Sequence, residues 1–166
     1  VKQDQTTPHP DVPGVLAPPP ALAGGLLVVG WLLDWLTGWH LAVNSGPGLV
    51  LGLIVTSMGG LLVLACIKAL RAARTPVEPW KPTTALVLAG PYGYCRNPIY
   101  IGLLLVYIGC AIMSGSGSAF LLLPVLIGLL HVGVILREEA YLTAKFGDTY
   151  RDYCRHVPRW LPKGDA

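Results

Sequence analysis

The sequence predicts an all-α integral membrane protein with four or so transmembrane helices and a C-terminal cytosolic helical segment at the membrane interface. Three observations carry that prediction. Of 166 residues, 53% are hydrophobic and 13% charged, against about 25% charged in an ordinary soluble domain. Four apolar runs approach the roughly 20 residues a helix needs to cross a bilayer. The basic residues fall in alternate connections, as topology-setting charges do.

Residues 1–20 hold Pro8, Pro10, Pro13 and the run Pro18-Pro19-Pro20. With few apolar side chains they bury no core and read as a flexible or extended tail. The segment lacks the ordered basic start and apolar centre of a cleavable signal peptide. The apolar run after it therefore reads as a retained span, opening one domain over residues 21–166. That span covers 21–36, or 21–43 if Trp39 and His40 belong to it. Asp34, Trp35, Trp39 and His40 then sit at the far interface, with Asp34 close to water. The second span, 47–72, carries Gly48, Gly52, Thr56 and Gly60 every four residues, a small-residue face for close helix packing.

Pro76, Pro79 and Pro82 end that helix and extend the loop after it. The third span is 98–113, residues 114–118 (Ser-Gly-Ser-Gly-Ser) are a tight turn, and the fourth span is 119–137. Pro124 inside it frees the Phe120 carbonyl and predicts a kink. Beyond it, Leu142, Phe146, Tyr150, Tyr153 and Val157 form a helical apolar stripe. Gly147-Asp148 predicts a break, giving a pair of interfacial helices that Pro158 and Pro162 end.

Two connections, 37–46 and 114–118, contain no Lys or Arg. The connection between spans two and three carries Lys68, Arg71, Arg74, Lys81 and Arg96, and the C-terminal segment carries six more basic residues. The positive-inside rule then places both basic segments and both termini in the cytosol, in a bacterial inner membrane or an ER-type membrane. No basic stripe interleaved with aromatics suggests nucleic acid. Cys66, Cys95, Cys110 and Cys154 show no C-x-x-C and no metal-ligand spacing.

Two polar clusters reach the same boundary. One is Tyr92 to Asn97; the other is His131 with Glu138-Glu139. His131 and Glu138, seven residues apart, share one helix face. His131 either serves a site or hydrogen-bonds a neighbouring backbone within the bundle. The paired acids suit hydroxyls or an ammonium group. Arg96, beside a helix N-terminus, suits a carboxylate. Asn97-Pro98 starts the third span as N-cap and first helical residue.

The stretch from Gly90 to Gly102, Gly-Pro-Tyr-Gly-Tyr-Cys-Arg-Asn-Pro-Ile-Tyr-Ile-Gly, resembles the G-P-Y-x-x-x-R-H-P-x-Y-x-G motif of isoprenylcysteine carboxyl methyltransferases and of the related phospholipid methyltransferases. The run from Glu138-Glu139 through Phe146-Gly147, Tyr150 and Tyr153 to Val157-Pro158-Arg159 is similar to the second signature of that family. The resemblance implies S-adenosyl-L-methionine as cofactor, held within residues 86–162. It implies a lipophilic or small-molecule methyl acceptor, with a prenylcysteine-type carboxylate favoured, reached from the bilayer. It places Gly90, Tyr92, Asn97, Pro98, Tyr100, Gly102, Glu138, Glu139, Tyr150 and Tyr153 around the cofactor, and Arg96, Glu139 and Arg159 in catalysis. His131 joins the cofactor set by its position. Asn97 departs from the family's usual His and cannot titrate near neutral pH.

The residue types agree with that chemistry. Methyl transfer from a sulfonium is an in-line displacement needing alignment and desolvation, and Tyr92, Tyr94 and Tyr100 offer aromatic faces to a cation. Two other readings compete. One is an NADPH-dependent enone or sterol-type reductase, kept open by Arg151, Arg155 and Arg159. The other is a non-enzymatic membrane scaffold built on the glycine face of span two.

Overall fold

The computed structural model describes residues 12–41 and 46–160. Helix α1 (Pro19–Thr37) begins with prolines in its first turn, where a missing N–H costs nothing. It ends at Gly38, whose φ of 69° lets its N–H close on Asp34 O. Trp39 and His40 therefore follow the helix, and the longer version of the first span does not form. Residue 43 lies outside the described residues. Helix α2 (Gly46–Ala72) is 27 residues long, and α3 (Pro98–Ser114) follows a loop and a 3₁₀ turn at Gly90–Gly93. Helix α4 (Gly117–Leu130) starts on Ser116, whose side chain accepts from Ala119 N at 3.1 Å.

The chain is an integral membrane protein. Helix α1, helix α2 and the continuous helical stretch Gly117–His156 are each long and apolar enough to cross a membrane, while α3, with 17 residues, is shorter. At about 1.5 Å per residue the part before the kink at Gly147 is about 45 Å long, longer than the hydrocarbon thickness. Its apolar part ends at Leu136, before Arg137-Glu138-Glu139.

Helices α2 and α3 pack antiparallel with their backbones nearly touching. A Cβ on Gly59 would lie 2.6 Å from Gly102 O, and one on Gly109 would lie 2.7 Å from both Gly52 O and Thr56 N. Gly52, Thr56, Gly59 and Val63 make the seam, at steps of four, three and four. Gly60 meets nothing within 4 Å, so the small-residue face differs from the one expected. Two helices that stay in contact along their length follow a 3.5-residue period rather than strict steps of four. Gly109→Ala is expected to cost about 1–3 kcal/mol, because behind the Thr56 hydroxyl, which is nearest, the atoms in its way are backbone and cannot yield. A thermal-unfolding midpoint in detergent equal to wild type would show that the seam can spread.

Asp34 is not near water: it is 2% exposed. Its carboxylate accepts from the Ser116 hydroxyl and from Ser118 N at 3.0 Å, tying the end of α1 to the start of α4. The unpaired Ser118 N–H at that helix N-terminus, together with the Ser116 hydroxyl, draws it inward.

Between α4 and α5 (Leu136–His156) runs a π turn, His131–Ile135. The fourth span thus runs without a gap into the first part of the C-terminal segment. The expected break at Gly147 does form, with φ 53° and ψ −126°, and divides α5 into two helical parts. Pro124 sits within α4, and the change of helical pitch comes about two turns later, at the π turn.

Candidate functional site

The two signature segments fold onto each other. Gly90 has φ 64°, a left-handed start that lets the 3₁₀ turn reverse the chain. Behind the turn, Arg96 N donates to Pro158 O at 2.8 Å. The Tyr153 hydroxyl donates to Tyr92 O at 2.6 Å, and Asn97 Nδ2 donates to Arg159 O at 3.1 Å. Asn97 does occupy the N-cap position of α3, but its side chain makes no capping bond. The amide instead holds the C-terminal segment, which corrects its expected role as a side-chain cap.

An ionic clasp closes the fold-back. Arg159 binds Glu139 through Nε and Nη2 at 2.9 and 2.7 Å, a bidentate pair. Arg96 Nη1 stands 3.2 Å from the same carboxylate and also donates to Cys154 Sγ. Arg96 and Glu139 side chains are both 13% exposed, and Arg96 Nε is buried with no hydrogen-bond partner among the described residues. Glu138 points elsewhere. It accepts from the Tyr100 hydroxyl at 2.8 Å, and burial pushes its carboxyl up to about 7. The charge of Glu139 adds to that rise, and the Tyr100 bond opposes it.

These groups line an open cleft enclosing about 840 Å³, its solvent-filled mouth included. Tyr92, Arg96, Asn97, Tyr100, Glu138, Glu139, Tyr150 and Tyr153 all contribute to its wall. Burial raises the phenols of Tyr92, Tyr150 and Tyr153 above the usual range, so they stay neutral donors. A second, apolar groove of about 670 Å³ adjoins it, lined by Val63, Ile67, Trp80 and Leu103 among others. The two spaces share Val77, Glu78, Pro79, Ile99 and Tyr100.

Other predicted residues stand apart from the cavity. Gly102 packs on α2, where a Cβ would meet Gly59 O at 2.9 Å. Pro98 is the buried first residue of α3, and Gly90 shapes the turn. Arg159 reaches the site only through Glu139. Tyr94 is 73% exposed. His131 stacks on Trp160, ring centroids 6.2 Å apart, with Nδ1 buried and unpartnered among the described residues. The π turn adds a residue to the helical turn and so rotates His131 away from Glu138.

Sequence reasoning missed the loop residues from Thr75 to Ala85, which form much of one wall, and Tyr141 on α5, and it read Leu142 as part of the apolar stripe without placing it in the site. Tyr141 and Leu142 follow Glu138 by three and four residues, so helical periodicity alone places them on its face. Tyr141 holds the loop, accepting from Thr83 N at 3.1 Å.

The family model described as phospholipid methyltransferase matches residues 47–149. A protein-S-isoprenylcysteine O-methyltransferase of Schizosaccharomyces pombe is 35% identical over 77 residues, 46% of this chain and 33% of that protein. The cobalt-zinc-cadmium resistance protein CzcN of Cupriavidus metallidurans is 30% identical over 83 residues, 50% of this chain and 38% of that protein. An uncharacterized protein of Haemophilus influenzae is 40% identical over 63 residues, 38% of this chain and all of that protein. The matched part of the chain thus spans about a third of the first two relatives.

Proposed function

The chain belongs to the phospholipid methyltransferase family, and from that premise we propose that it transfers a methyl group from S-adenosylmethionine to a lipid-like or small apolar acceptor. The observation that carries this reading is the meeting of both signatures around one cavity that continues into an apolar groove.

The residues present fit such a donor. It is a cation at its sulfonium and carries an ammonium and a carboxylate. Glu138 offers a buried anion for positive charge, with Tyr92, Tyr100, Tyr150 and Tyr153 as aromatic neighbours. Arg96 Nε is a buried donor without a partner, suited to a carboxylate. Bound there, S-adenosylmethionine would supply an electrophilic methyl group on sulfur. The protein's own work is to align the acceptor and exclude water. Loop 75–87 and α5 close two sides of the cavity, and the clasp of Glu139 fixes the remaining wall.

The acceptor's apolar part fits the groove between α2, α3 and the 77–80 turn. A prenylcysteine-type carboxylate, the acceptor class in the name of the S. pombe relative, would reach the cavity already ionised and need no base. By the positive-inside rule, Lys68, Arg71 and Arg74 support a cytosolic position for the cavity's end of the bundle. An NADPH reductase is disfavoured by charge. Among the described residues Arg96 is the one Lys or Arg lining the cavity, where Glu78 and Glu139 are paired to Lys81 and Arg159 and Glu138 has no cation, while Arg151 and Arg155 are bound on the exposed face to Asp148 and Asp152. A polyanionic dinucleotide would find few cations there.

Calorimetry on detergent-purified protein tests the reading. S-adenosylmethionine and S-adenosylhomocysteine are expected to bind and NADPH not to. Binding of NADPH alone would replace this reading with the reductase.

A further inference from the structure

The family match begins at residue 47, yet one wall of the site comes from before it. Pro13 lines the cavity that holds Glu138, and Pro19 and Pro20 line the apolar groove. The non-helical residues between them, with Gly14 at φ 60° and Val15 packed against the core, are fastened to the π turn and the first turn of α5 by three contacts. Leu16 N donates to Gly133 O at 2.9 Å. The Leu16 side chain covers Gly133 so closely that a Cβ there would stand 3.2 Å from Leu16 Cβ. Arg137 Nη1 donates to Gly14 O at 2.7 Å.

The π turn explains why docking happens here. Widening one helical turn loosens the backbone ladder and turns a carbonyl outward, and Gly133, having no side chain, leaves room for Leu16 above that carbonyl. Arg137 immediately precedes Glu138. The segment is therefore fastened to the helical turn that aims the buried acid and, through Pro13, closes the space beside it.

We propose that residues 13–18 are a positioning strap for the site: docked, they complete the cavity wall and hold the turn carrying Glu138, and undocked, they leave the ligand cavity open on that side. This rests on the cofactor reading above. It assigns a working part of the site to a segment outside the matched family region.

The test is rescue by a reversible lock. Arg137 does not line the cavity, and Arg137→Ala removes only one of the three fastenings. It is expected to weaken S-adenosylhomocysteine binding at least fivefold by calorimetry. Leu16→Cys with Gly133→Cys places two Cβ atoms within a few tenths of an ångström of disulfide spacing. Added to Arg137→Ala and oxidised, this pair is expected to restore affinity to within twofold of wild type, and dithiothreitol is expected to abolish the rescue. Wild-type affinity in Arg137→Ala, or an oxidised lock that restores nothing, overturns the strap. If the wild-type protein itself binds no S-adenosylhomocysteine, the cofactor reading fails first, and the strap's role falls with it.

Discussion

Glu138→Gln is expected to weaken S-adenosylmethionine binding about thirtyfold while leaving the helices folded. The carboxylate is buried, accepts a hydrogen bond from Tyr100 and, unlike Glu139, has no arginine against it among the described residues. A charge-assisted contact to a cationic ligand is worth about 2 kcal/mol, and that sets the factor. Glutamine keeps an oxygen for the Tyr100 hydroxyl, so the local geometry survives. The same substitution has a pH signature. Burial raises the carboxyl from 4.5 in the unfolded chain to about 7 in the folded one. The folded state therefore holds the proton more tightly, and its stability from this group is full below about 4.5 and gone above about 7. The wild-type melting temperature is expected to fall between about pH 5 and 8 from this cause, and that of Glu138→Gln to stay flatter. A bound cation reverses the preference and releases up to about one proton near pH 7, read as a dependence of binding heat on buffer ionisation. Unchanged affinity in Glu138→Gln would reduce the acid to a helix-end residue.

The helices were legible because membrane spans announce themselves by length and composition, and the site's polar residues because they interrupt that composition. Arg96, Tyr100, Glu138 and Glu139 stand out in the sequence, and the structure brings them to one cavity. What the sequence concealed is the division of labour among them. Glu138 and Glu139 are adjacent and identical in type, yet 100° of helical rotation separates an acid facing the cavity from one tied to two arginines. Asn97 looked like a cap because its neighbour is proline, while its amide holds a carbonyl 62 residues away. Asp34 looked interfacial because tryptophans flank it, but the N-terminus of α4, 82 residues on, draws it inside. His131 was aligned with Glu138 by counting 3.6 residues per turn, a count the π turn breaks. Local pattern gives the element, and partners distant in the chain decide what each polar side chain does.

Glu139→Ala is expected to act differently from Glu138→Gln: both stability and binding fall together. The Glu139 carboxylate receives a bidentate bond from Arg159 and the charge of Arg96. Removing it leaves Arg96, largely buried, without its anion, and breaking such a pair costs about 3–5 kcal/mol. Arg159 is 36% exposed and regains water, which brings the expected loss to about 2–3 kcal/mol. The C-terminal segment then keeps the bonds from the Tyr153 hydroxyl to Tyr92 O, from Arg96 N to Pro158 O, from Asn97 Nδ2 to Arg159 O and from Arg96 Nη1 to Cys154 Sγ. Its loosening moves Tyr150 and Tyr153 in the cavity wall, so donor binding drops although Glu139 need not touch the donor. A double-mutant cycle separates the clasp from simple truncation. Arg159→Ala added to Glu139→Ala should cost little more than Glu139→Ala alone, because the two side chains share one interaction. Additive losses would mean that Glu139 and Arg159 support the fold independently, and the clasp would then not be what holds the two signatures together.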